Sequence, residues 1–174
     1  AGNYVEDLAL SNPVRLWGRC PALVTITGKK STDVAVLALY DGTEIHDLAV
    51  TGPGFGIHGY RAAVLVDRVW VHGTALVGVI AEGGPGIPGL MRLRRSLIEE
   101  AGVVGVLVQG GAGEIDASVV RGTKPTASGD LGLLVAERSR DRQLALDDPP
   151  DQRASPLSVH LTQLTGGRNP CLAA

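Results

Sequence analysis

The sequence predicts an α+β domain that is rich in sheet and carries one main amphipathic helix. Two observations lead there. Short runs of Val, Ile, Leu and Ala recur between Gly, Pro and Asp, the pattern of half-buried or buried strands. Over residues 88–101, Leu90, Leu93, Leu97, Ile98 and Ala101 recur at spacings that place them on one helical face, with Pro88 suited to the first turn and Gly102 to the stop. The hydrophobic content is 44% but the aromatic content only 3%, so the core must be aliphatic and closely interdigitated.

Taken in order, residues 22–27, 34–39, 62–71 and 75–80 read as strands of a meander-like first half. Residues 51–59, with four glycines and Pro53, read as a surface loop. After the helix, residues 103–108 read as a buried strand, 115–120 as a weaker one, 124–130 as a short helix and 131–136 as a last apolar run. The expected organisation is a single α/β core over residues 1–136, a charged linker with Pro149 and Pro150 over 137–156, and a C-terminal segment over 157–174. No internal repeat is evident.

Charge and composition narrow the function classes. Lys and Arg number 16 against 18 Asp and Glu, a net charge of -2, so no global field recruits nucleic acid or anionic lipid. Every apolar stretch is interrupted before it reaches membrane-spanning length, and the N-terminus lacks a basic segment followed by an apolar one, so a cytoplasmic protein is expected. Cys20 and Cys171 make no metal-ligand spacing and read as free thiols or one disulfide. His46, His58, His72 and His160 form no ligand pair at helical spacing, so isolated hydrogen-bonding roles are expected, with no metal and no cofactor. Asp33, Asp67 and Asp116 read as turn formers, Trp17 and Trp70 as core or half-buried anchors.

The chemistry-bearing stretch is residues 113–136, GEIDASVVRGTKPTASGDLGLLVA, which holds Lys124, the one lysine outside the Lys29, Lys30 pair. A lysine set between apolar strands surrenders its proton more readily and can serve a hydroxyl nucleophile as general base, whereas a solvated lysine does neither. Both readings stand on the residues alone.

The order Gly113, Glu114, Ile115, then Arg121, Thr123, Lys124, then Leu131, Gly132, Leu133 resembles the lysine-bearing segment of the birnavirus polyprotein-processing proteases. That resemblance implies a Lon-protease-like fold, a Ser/Lys mechanism with Lys124 as base, cleavage after small residues such as Ala, and the protein's own polyprotein precursor as partner and substrate, in host cytoplasm. The ends resemble cut sites: Ala174 closes the chain after Leu172 and Ala173, and Ala1 and Gly2 open it, although an arbitrary boundary gives the same residues. The expected nucleophile is missing from its place. Residues 82–89, EGGPGIPG, hold no Ser, Thr or Cys; Ser96 reads as a solvated helix residue and Ser128 as a cap or turn.

The same loop supports a second expectation. Gly83, Gly84, Pro85 and Gly86 border a substrate groove in the peptidase reading; alternatively, converging backbone N–H groups at a helix N-terminus, with Arg92, Arg94 and Arg95 following, hold a small anion. Residues 101–111, AGVVGVLVQGG, are loosely similar to the core strand of the RraA-like regulators and aldolases, which implies a non-catalytic or weakly catalytic α/β domain. A homo-oligomer is compatible with either.

Overall fold

The computed structural model describes residues 1–124 and, as backbone, residues 131–136. Its strands fall into three sheets, and every strand-to-strand pairing within them is parallel. Sheet A holds β1 (Gly2–Val5), β4 (Val24–Thr27), β7 (Ala49–Thr51), β10 (Trp70–His72), β13 (Leu97–Glu99) and β16 (Val119–Arg121), in that spatial order. Sheet B holds β2 (Leu8–Leu10), β5 (Val34–Ala38), β8 (Phe55–Tyr60), β11 (Val77–Glu82), β14 (Val104–Gln109) and β17 (Leu131–Ala136). Sheet C holds β3 (Arg15–Trp17), β6 (Thr43–His46), β9 (Ala63–Asp67), β12 (Gly89–Arg94) and β15 (Gly111–Asp116). The chain visits A, B and C in turn and then repeats, each coil stacking on the last: a parallel β-solenoid.

This arrangement explains how strands so short can pair in parallel. A parallel pair needs a long crossover, usually a helix. Here the crossover is the rest of the coil, two more strands and three corners, so no helix is required and none occurs among the described residues.

The core is the lumen. Ile26, Val50, Val71 and Ile98 line it from sheet A; Val36, Ile57, Val79 and Val106 from sheet B; Ile45, Val66, Leu93 and Ile115 from sheet C; all belong to one buried cluster. Register sets each of these beside its counterpart in the next coil, for example Ile45 beside Val66 and Leu93 beside Ile115. Branched aliphatics suit such a stack, and each buried side chain contributes about 1.5–3 kcal/mol of transfer free energy before entropy is charged against it. No aromatic ring is among the fully buried described residues, which accounts for the low aromatic content.

The α+β expectation is therefore overturned, together with its main helix. Residues 88–101 form β12, a corner at Arg95 and Ser96, and β13. Within β12, Met91 and Leu93 point inward at 2% and 1% exposure while Arg92 and Arg94 are exposed; after the corner Ile98 is fully buried. Strand alternation interrupted by a corner shifts phase, and the shifted pattern mimics a 3.6-residue period. Of residues 51–59, expected as a surface loop, Thr51 ends β7 and residues 55–59 lie in the strand β8. Its glycines serve close coil stacking, since a methyl group added at Gly56 would overlap the Gly78 carbonyl. Residues 62–71 split into β9 and β10 around Arg68. Of the short helix expected at 124–130 only Lys124 is described, and the linker at 137–156 and the C-terminal segment lie outside the described residues.

A repeat is present after all. Ile26, Val50, Val71, Ile98 and Val120 are successive neighbours in sheet A at steps of 24, 21, 27 and 22 residues. The uneven step comes from corners of different length, and it hides the period from a search at fixed spacing.

Candidate functional site

The corner from sheet C to sheet A is built by one six-residue pattern used four times: Ile45–Val50 (IHDLAV), Val66–Val71 (VDRVWV), Leu93–Ile98 (LRRSLI) and Ile115–Val120 (IDASVV). The first and last positions are aliphatic and face the lumen. The second faces outward, and the third turns the chain in the left-handed region: Asp47, Arg68, Arg95 and Ala117 have φ of 53°, 54°, 47° and 46°. Non-glycine residues there are strained by about 1–2 kcal/mol each, and three of the four, Asp47, Arg68 and Arg95, carry side chains that can offset it.

They do so through Asp67. Its carboxylate, 4% exposed, accepts Arg95 Nε and Nη2 at 2.8 and 2.7 Å and Arg68 Nη1 at 2.7 Å, while Arg68 also donates Nε and Nη2 to both oxygens of Asp47 at 2.7 Å. These are fork-to-carboxylate contacts, the strongest geometry available to a guanidinium. Asp47, through this contact, holds the Arg68 pKa above its ordinary value. At the fourth position Ser96 and Ser118 complete the corner: Ser96 Oγ accepts the Val69 N–H at 3.0 Å and donates to the Arg94 carbonyl at 2.7 Å, and Ser118 Oγ accepts the Ser96 N–H at 3.1 Å. Ser96, expected on a solvated helix face, is 3% exposed and satisfies backbone donors.

Beyond the corner, the outer face of sheet C is a polar array with one residue per coil. One row runs Trp17, His46, Asp67, Arg94, Asp116; beside it runs Arg15, Glu44, Leu65, Arg92, Glu114. Arg15 pairs with Glu44 at 3.3 Å and Arg92 with Glu114 at 2.9 Å. The His46 Nε2–H donates to Glu44 at 3.0 Å, and this bond holds the Glu44 carboxyl below its usual range. Nδ1 of His46 lies 3.6 Å from Asp67 and makes no hydrogen bond. Trp17 stacks on His46 with centroids 4.7 Å apart and planes inclined by 21°, yet remains 62% exposed. It is a surface platform rather than the anchor the sequence suggested.

The corner from sheet B to sheet C carries a second cluster. His58 Nε2 lies 3.1 Å from Glu82 Oε2, close enough for charge attraction but outside hydrogen-bond geometry, since that nitrogen makes no hydrogen bond. Burial pushes the His58 pKa down against the raising pull of Glu82. The Arg61 guanidinium sits 5.1 Å over the Tyr60 ring, and the Tyr60 and His58 rings meet edge to face at 6.0 Å. Among the described residues no group of three or more His, Cys, Asp or Glu could hold a metal, and no helix is long and apolar enough to cross a membrane.

The residues expected to carry chemistry are placed apart. Lys124 follows β16 at the corner leading from sheet A toward sheet B, is exposed, and donates its backbone N–H to the Ala101 carbonyl at 2.8 Å. Gly83, Gly84, Pro85 and Gly86 lie at the corner from B to C. The donors of Gly83 and Gly84 are consumed internally: Gly83 N–H by the Gln109 carbonyl at 2.8 Å, Gly84 N–H by Ile87 at 2.8 Å, with Ile87 N–H returning to Gly84 at 3.1 Å. The loop is a closed hairpin entering a strand, so the helix N-terminus that an anion cradle requires is missing. Ser128 and Ala174 lie outside the described residues. Trp17, His46, Asp67 and Arg61 were not singled out as a site by sequence reasoning; the signal for His46 and Asp67 was the recurring six-residue corner.

No protein-family model, no curated protein and no solved structure matches the chain.

Proposed function

We propose that this chain is a solenoid binding module that holds an extended, hydroxyl-rich polymer, a glycan, along the outer face of sheet C. Parallel coils place side chains about 4.8 Å apart in straight rows, which suits a polymer of regular repeat better than a compact ligand. On either side of Leu65 the rows carry donors and acceptors, Arg15, Glu44, His46, Arg92, Arg94 and Glu114, as sugar hydroxyls require. The observation that carries the reading is Trp17: a large indole kept 62% exposed and supported from behind by His46. Such a ring offers a flat apolar surface to the C–H face of a sugar.

Calorimetric titration with neutral and acidic oligosaccharides tests this. The wild type is expected to bind at least one of them, and Trp17→Ala to weaken that binding about tenfold or more. Failure of every oligosaccharide to bind, or equal binding by Trp17→Ala, removes the reading.

A further inference from the structure

The strand register places Tyr60, Glu82 and Gln109 side by side in β8, β11 and β14, so the residues that follow them, Arg61, Gly83 and Gly110, occupy one corner position in three successive coils. Gly110 and Arg61 both turn in the left-handed region, at φ of 63° and 52°. Glycine takes that conformation freely; arginine does so only under strain. The side chain at Arg61 must therefore do something that the glycines do not.

It is held in place but has no charge partner among the described residues. Its guanidinium lies over the Tyr60 ring at 5.1 Å. It also packs against Gly84 closely enough that a methyl group there would overlap it. The backbone beneath is fixed by Arg61 N–H donating to the Glu82 carbonyl at 2.6 Å. Arg15, Arg68, Arg92, Arg95 and Arg121 each have a carboxylate within 3.3 Å, whereas Arg61 has none among the described residues. Glu82, on the neighbouring strand, directs Oε2 to His58 instead. An exposed guanidinium that is positioned, stacked and unpaired is prepared for a planar oxyanion, which it binds through two parallel N–H donors.

We propose that Arg61 is an anchoring site for a carboxylate, and that this carboxylate belongs to a uronate unit of the bound polymer. The first half of this statement stands on Arg61 alone. The second half rests on the glycan reading: Arg61 borders sheet C at the opposite end of its strands from Trp17, on the order of 20 Å away across two coils, a span for one oligosaccharide.

The test follows the Arg61 Nε–Hε signal in nitrogen-15 spectra, assigned by its loss in Arg61→Gln. Glucuronate is expected to shift that signal saturably and glucose to leave it unmoved. Gly84→Ala, which keeps the arginine but displaces its guanidinium, is expected to abolish the response. A signal indifferent to glucuronate overturns the anchoring site. Calorimetry then reads the identity of the ligand: an oligouronate should bind about tenfold tighter than its neutral counterpart, with Arg61→Gln removing the difference. Equal affinity of the two polymers overturns the uronate assignment while leaving the Trp17 platform intact. If neither polymer binds, the glycan reading and the uronate assignment fall together, and the glucuronate titration still decides the anchoring site.

Discussion

Arg68 and Arg61 share a residue type and a backbone conformation, at φ of 54° and 52°, and both stand at solenoid corners. Arg68 closes two carboxylates of its own chain at 2.7 Å, Asp47 in a forked contact and Asp67 through a single hydrogen bond. Arg61 has an aromatic ring beneath it and a glycine beside it, but no carboxylate among the described residues. At the first corner the strain of a left-handed arginine is offset inside the fold; at the second it is not. The comparison teaches that identical local geometry can serve stability at one place and leave a binding group at another, and that pairing separates the two.

The largest effect expected from breaking this contrast is at the acceptor. Asp67→Ala removes the carboxylate on which Arg68 and Arg95 converge and should lower unfolding free energy by about 3 kcal/mol. That is the low end for a broken buried pair, because the side chain of Arg95 is 55% exposed and can rehydrate. Urea denaturation measures it through the transition midpoint. A loss below about 1 kcal/mol would mean that the network is ornamental and the corner is held by Ser96 and Ser118 alone.

Substituting the two arginines identically sharpens the contrast further. Arg61→Gly relieves a strained corner at little cost in contacts and should stabilise the fold by about 0.5–1 kcal/mol. Arg68→Gly gains the same relief but unpairs Asp47 and buried Asp67, so a net loss of about 1–2 kcal/mol is expected. Thermal melts of the two variants should move in opposite directions. Movement in the same direction would show that backbone strain alone governs both corners.

The four corner patterns also show how much of this was readable beforehand. Aliphatic strands were legible at residues 34–39 and 103–108, because alternation and branched residues survive in any sheet. The helix expected over 88–101 rests on Leu90, Leu93, Leu97, Ile98 and Ala101, which straddle the corner between β12 and β13, and two short strands out of phase imitate one amphipathic turn. The solenoid itself was written in IHDLAV, VDRVWV, LRRSLI and IDASVV, but at steps of 21, 27 and 22 residues, which no single period captures. Arg61 could not have been found this way. Its meaning lies in what stands at the equivalent position of other coils and in the absence of a partner, and both are facts of three-dimensional register.

The smallest expected effect concerns the histidine beside the unpaired arginine. Burial lowers the pKa of His58 from 6.5, and Glu82 only partly opposes it. The folded state therefore favours the neutral ring. Between the lowered folded value and 6.5 the unfolded chain binds a proton that the folded chain refuses, so stability rises with pH across that window. The contribution is complete above 6.5 and is lost as pH falls through the folded value. His72, also lowered mainly by burial, acts in the same direction. The Glu44 carboxyl is held below 4.5, so its contribution is lost only under more acid conditions than the interval between pH 6.5 and about 5 in which His58 and His72 act. Melting temperature should decline over that interval in the wild type, with a slope for His58 no steeper than one proton allows, about 1.4 kcal/mol per pH unit. His58→Gln should flatten part of the decline and His58→Gln with His72→Gln most of it. An undiminished decline in the double variant would place the acid sensitivity elsewhere and leave the Glu82 side of this corner without influence on the fold.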